Sequence, residues 1–297
     1  MREHFETVYV LQERSYASYY PVGQGALLGL TQLARLNPWF AIWASVGLMC
    51  GALFWMLAGW LPPRWALVGA LMAGMRFGIL CHWMNSFWGG ALAAVGGALV
   101  FGSLPRVYRG LGVRYAALMG LGLAILLQTR PYEGALLSIP VALALGVWLL
   151  RTKAVSWRSR IVGVILPLVA VLLGAGAWTA YYDWRVTGDP LVMPYQLYQK
   201  EYGVPAAFYW QENYPPGKSL RLPELEQTYR WQVEHHNARN SWTQLAAVTL
   251  EKLRSLWEFY FGPLWTLPLL AVPWLWTRRR FRFHILTVAL VLFGVGM

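Results

Sequence analysis

Apolar runs of roughly 20 residues, the length that crosses a bilayer's hydrocarbon core, cut this 297-residue chain into polar loops whose charge alternates. One alternate set of loops reads LPPRW (61–65), PRVYRGLGVR (105–114), RTKAVSWRSR (151–160) and TRRRFR (277–282). It holds twelve Lys/Arg and no Asp or Glu. The remaining loops hold all thirteen carboxylates, from Glu3 to Glu258. A Lys/Arg excess in short loops marks the cytoplasmic face of a membrane protein. The pattern therefore predicts a polytopic chain whose chemistry lies on the outer face.

Composition agrees, with 57% hydrophobic and 13% charged residues, outside the range of soluble domains. A net charge of +12 raises the question of nucleic acid. The basic residues instead flank apolar runs and form no basic-aromatic stripe along one element, which argues against a nucleic-acid partner. Cys50 and Cys81 both lie inside apolar runs and predict no disulfide framework. The N-terminal stretch MREHFETVYVLQERSY lacks the apolar core of a signal peptide.

The predicted fold class is all-α integral membrane, a helix bundle of about eight spans with an interfacial helix and a long loop on the outer face. The spans fall near 38–60, 64–83, 87–104, 113–129, 132–150, 160–181, 262–277 and 282–297. Residues 1–21 read as the remnant of an outer loop, and 22–36 as an interfacial or re-entrant helix too short to cross. Residues 37–181 form a transmembrane core of about six spans, 182–260 an aromatic-rich outer cap with an amphipathic helix over 222–238, and 261–297 two further spans. Gly89, Ala93 and Gly97, four residues apart, predict a close helix–helix contact. The chain starts in a polar loop and stops in an apolar run, so a first span upstream and more spans downstream are expected.

Three short connections on the outer side carry the candidate chemistry: SYYPVGQG (18–25), CHWMNSFWGG (81–90) and QTRPYEG (128–134). Arg130 precedes Pro131, a favoured first helical residue, and Glu133 then falls in the first turn, where a carboxylate suits the helix dipole. The plainer reading makes Arg130 and Glu133 a capping ion pair. The functional one gives Arg130 a phosphate to hold, because a guanidinium binds it bidentately. Arg76 lies inside a span, where a charge is costly and calls for a phosphate or carboxylate partner unless it snorkels outward. His82, Asn85 and Ser86, spaced i, i+3 and i+4, predict one shared helix face or a polar cap. His235 and His236 are adjacent and do not suit one metal. No zinc pattern, P-loop or nucleophile elbow occurs.

The segment SYYPVGQGALLGL (18–30) resembles the Tyr-Pro-Pro-Gly-x-x-x-Leu-x-Leu segment of the GT-C superfamily of integral-membrane glycosyltransferases, in its family 39 and protein-mannosyltransferase-like branch. NSFWGG (85–90) and RPYEG (130–134) look like further motifs of its bacterial members; Val22 stands where the family has its second proline. The resemblance implies transfer of a hexose from a polyprenyl-phosphate sugar to a glycan, lipid or protein acceptor, with inversion. It also implies a bacterial inner (plasma) membrane with the active site on the periplasmic face. Such enzymes use an Asp of the first outer loop as general base and basic residues on the departing phosphate. By position, Tyr20 and Pro21 would line the pocket, Asn85 and Trp88 would flank the donor, and Arg130 would hold the phosphate. Tyr132 and Glu133 would be the neighbours of Arg130. The family's Asp would lie upstream of Met1; the weak substitutes are Glu6 and Glu133. No cofactor is called for, and a divalent metal stays open. The alternative function is a transporter or flippase for a lipid-linked substrate, although no internal repeat supports it; a non-catalytic assembly partner is a third reading.

Overall fold

The computed structural model describes residues 7–12, 14–110, 112–152, 156–204, 213, 215–217, 220, 222–237 and 242–296. It is predominantly helical. The chain divides into a smaller unit, Met1–Pro21 with Ala177–Glu258, and a larger one, Val22–Gly176 with Phe259–Val295; Gly296–Met297 group with the smaller.

The smaller unit opens on a short antiparallel pairing of β1 (Val10–Leu11) with β2 (Ala17–Ser18), an element the all-α expectation lacked. Leu11 is buried with Val186, Tyr198, Tyr202, Val204 and Leu225. Side-chain bonds tie these distant segments together. The Tyr9 amide donates to the Tyr198 hydroxyl at 3.2 Å, and Gln232 Nε2 donates to the Tyr9 hydroxyl at 2.9 Å.

The larger unit begins with α1 (Val22–Leu33), three residues shorter than predicted. Its end is a Schellman motif: the Leu36 amide bonds Thr31 O at 2.8 Å and the Arg35 amide bonds Gln32 O at 2.9 Å. Arg35 takes the left-handed position, φ 57, where glycine is the usual residue. Next come α2 (Trp39–Trp60), α3 (Pro63–Gly74), α4 (Gly90–Tyr108), α5 (Val113–Thr129) and α6 (Pro131–Arg151). α7 (Trp157–Arg160) runs through a π-helical turn, Ile161–Ile165, into α8 (Leu166–Thr187). From Ala177 on, α8 belongs to the smaller unit, which then adds α9 (Pro194–Tyr202), α10 (Pro223–Asn237) and α11 (Trp242–Tyr260), whose last two residues belong to the larger unit. Finally α12 (Gly262–Thr266), α13 (Val272–Thr277) and α14 (Arg279–Gly296) complete the chain.

Among the described residues, four helices are long and apolar enough to cross a membrane: Trp39–Trp60, Gly90–Tyr108, Pro131–Arg151 and Trp157–Thr187. Among the other predicted spans, 64–83 is interrupted. α3 passes into a π-helical turn at Met75–Ile79, then breaks before a 3₁₀ turn at His82–Asn85. The stretch 262–277 is also broken, because Pro263, Pro268 and Pro273 each remove a backbone donor and divide it into α12, a 3₁₀ turn at Leu267–Ala271 and α13.

α4 is the central helix: 61% of its apolar stretch is buried, against 6% for Trp157–Thr187, which still turns Val164, Leu168 and Val171 toward the core. The close contact of α4 uses Gly96, one position from the predicted stripe. A Cβ on Gly96 would stand 2.9 Å from Gly122 O, and one on Gly122 would stand 2.6 Å from Gly96 O. Only glycines on both helices allow this approach.

The basic loops gather at one end of the larger unit. Arg106 and Arg109, predicted to lie in a loop, reach back to α2: Arg106 donates to Trp55 O at 2.7 Å and Arg109 to Gly59 O at 2.9 Å. Arg106 is buried in the last turn of α4, with its guanidinium 4.0 Å from the centre of the Trp55 ring. Arg160 donates to Leu149 O at 2.6 Å and Arg282 to Trp276 O at 3.0 Å. Tyr108 packs beside Trp148, and Trp60 beside His284, which links all four loops.

Candidate functional site

The opposite end of the larger unit brings α1 together with the second and third connections. α1 starts against the end of α5: a Cβ on Gly23 would lie 2.6 Å from Gln128 O. One residue on, Gln24 packs against Gly89, whose added Cβ would lie 3.1 Å from Gln24 Cβ. The polar atoms of Gln24 and the hydroxyl of Ser86 are buried with no hydrogen-bond partner among the described residues. A buried amide left unbonded costs about 1–3 kcal/mol, so this spot is chemically incomplete without a partner.

Arg130 bridges two helices. Its non-helical backbone, φ −141 and ψ 71, ends α5, and Pro131 opens α6. Its guanidinium meets Glu133 at 3.4 Å, with 47% and 34% of the two side chains exposed. Such a pair contributes about 0–1 kcal/mol to stability. The predicted capping pair is therefore present, and it leaves donors of Arg130 open to solvent. Glu133 is also the one Asp or Glu in the larger unit's sequence; the other twelve lie in the smaller unit's segments. Tyr260 stands within electrostatic reach of Arg130, Glu133 and Cys81. Burial pushes its phenol up; Arg130 opposes that, while Glu133 and Cys81 add to it. Its phenol therefore stays protonated at neutral pH.

The 3₁₀ turn places His82 and Asn85 on one side, since residues three apart eclipse in that geometry. Ser86 does not share their face, because its backbone is already extended, φ −147 and ψ 157. This corrects the three-residue helix face. His82 lies 5.3 Å from the Phe259 ring and 6.0 Å, edge-on, from Trp88. His82, Asn85 and Trp88 are all exposed.

Two predicted residues are engaged in structure. Arg76, within the π-helical turn, donates to Phe259 O from Nε at 2.9 Å and from Nη2 at 2.6 Å. Its Nη1 also donates to Leu80 O at 3.5 Å. The Tyr132 hydroxyl donates to Gly294 O at 2.9 Å, tying the start of α6 to the end of α14.

Tyr20 belongs to the smaller unit, in a cluster of rings: it lies 4.2 Å from Tyr19 and 5.8 Å from Tyr9. Burial holds the Tyr19 phenol well above its ordinary range, with Tyr20, Tyr9 and Tyr195 adding to it. Asp183, near the end of α8, is a buried carboxylate that the sequence reading passed over. Its signal was an acid between Tyr182 and Trp184 at the end of an apolar run. Gln24 and Tyr260 were missed as well. An isolated Gln or Tyr in an aromatic-rich chain has no spacing to mark it. Glu6 lies outside the described residues.

Among the described residues, no group of three His, Cys, Asp or Glu side chains is arranged to hold a metal ion. No family model, curated protein or solved structure matches the chain.

Proposed function

We propose that the chain is a membrane glycosyltransferase that moves a sugar from a polyprenyl-phosphate donor to an acceptor at the outer face of a bacterial inner membrane. The observation that supports this most is the meeting of Gly23–Gln24, Ser86–Gly89 and Thr129–Glu133 at the end remote from the basic loops. These are the segments through which the sequence resembles GT-C enzymes. The groups gathered there suit the reaction. Arg130 keeps exposed donors for the lipid phosphate. Trp88 and His82 offer exposed rings beside a sugar.

In the proposed step, a carboxylate takes the proton of the acceptor hydroxyl, for which Glu133 is the larger unit's candidate. The acceptor oxygen bonds the anomeric carbon with inversion. The carbon–oxygen bond to the lipid phosphate breaks, and its electron pair leaves on the phosphate beside Arg130, where fixed positive charge favours the transition state.

The test is to reconstitute the protein in vesicles with a radiolabelled polyprenyl-phosphate sugar and candidate acceptors. Label moving from lipid to acceptor is the expected result. Label that crosses the bilayer still attached to its lipid would assign the transporter reading instead.

A further inference from the structure

An open groove of about 890 Å³ runs between α6 and α14 in the larger unit. Its α6 wall is Pro140, Leu143, Val147 and Arg151, recurring at helical spacing; Leu286 and Leu290 face them from α14. The two helices touch at their other ends. There, Gly294 lies against Leu136, whose side chain an added Cβ would strike, and Tyr132 bonds Gly294 O. Beyond that contact the groove opens between them, with Tyr108, Trp148 and Phe283 also in its lining, and Pro140 has no backbone N–H to offer.

Three features define what would fill it. The lining is almost wholly apolar, so water is a poor occupant. The groove runs along α6 from Pro140 to Arg151, eleven steps or roughly 17 Å at 1.5 Å per residue, which is about half of a 30 Å hydrocarbon core and so one leaflet deep. It ends at Arg151, at the basic end of the unit. Arg106, Arg109, Arg160 and Arg282 donate to backbone carbonyls there. Arg151 is exposed and has no hydrogen-bond partner among the described residues.

We propose that this groove is a binding site for an anionic phospholipid of the leaflet at the basic end, with one acyl chain along Leu143 and Leu290 and the phosphate at Arg151. The proposal rests on the apolar helices lying in a membrane and is independent of the transferase reading. Loss of lipid binding with transfer intact would sink this proposal alone.

The test is native mass spectrometry of the detergent-purified protein supplied with phosphatidylglycerol or phosphatidylcholine. One phosphatidylglycerol should stay bound, at least tenfold better than phosphatidylcholine. Leu143→Trp, which fills the groove, should reduce retention at least tenfold, and Arg151→Gln should abolish the preference for the anionic lipid. Leu173→Trp, at an exposed apolar position on α8, should leave both unchanged. Equal retention in Leu143→Trp and Leu173→Trp, equal retention of the two lipids, or a lipid-free dimer closing the groove would each overturn the proposal. A second readout needs no variant. Phosphatidylglycerol with a photoreactive tail should label peptides 140–152 and 283–290 of the wild-type protein above the segment around Leu173. Uniform labelling would overturn it as well.

Discussion

The two ends of the larger unit use arginine in opposite ways. At the basic end, Arg106, Arg109, Arg160 and Arg282 each donate to a carbonyl in or near the last turn of a helix, where the helix dipole is negative and four carbonyls lack partners. At the other end, Arg130 meets one exposed carboxylate at 3.4 Å and keeps donors free, while Gln24 and Ser86 hold buried polar atoms with nothing to bond. The arginines of the basic loops thus also brace helix ends. Arg76 marks the exception, since its two donors on Phe259 O make it a structural residue at the polar end.

The sharpest way to break this contrast is a matched pair of substitutions. Arg106→Ala removes bonds to Trp55 O and Gly102 O and should destabilise the protein by about 3 kcal/mol, whereas Arg130→Ala should cost less than about 1 kcal/mol. Reversible unfolding in a mixed detergent series measures both, and equal losses would erase the distinction. Next in size is Gly23→Ala. Its methyl would push α1 off the end of α5 and cost about 1–2 kcal/mol by the same assay. Sugar transfer should fall by tenfold or more, because a displacement of about 1 Å at a reacting site is expensive.

Tyr132→Phe deletes the bond to Gly294 O. It should cost about 1 kcal/mol and leave transfer unchanged; a large activity loss would return Tyr132 to the substrate-binding group. Smallest is Arg35→Gly. It relieves a left-handed residue and should stabilise the protein by about 1 kcal/mol, read as a small rise in midpoint.

Much of this was legible beforehand. α2 and α5 lie where hydropathy put them, within a residue at each end, because proline and charge bound each apolar run. Arg130 with Glu133 followed from helix-start chemistry alone. Hydropathy did not reveal how the backbone ladder runs inside an apolar stretch. It missed the π-helical turn that carries Arg76 and the three prolines that divide 262–277. Arg106 looked like a loop residue because Pro105 precedes it; its partner Trp55 is 51 residues away. The Gln24–Gly89 contact was equally hidden, since only the meeting of α1 with the second connection creates it.

The most direct test of the account is transfer from a labelled polyprenyl-phosphate sugar by Arg130→Ala beside Arg151→Ala, each shown to be folded. Arg130→Ala should lose about 100-fold, as for removal of a charge-stabilising donor, and Arg151→Ala should keep wild-type transfer. Wild-type transfer by Arg130→Ala would contradict it.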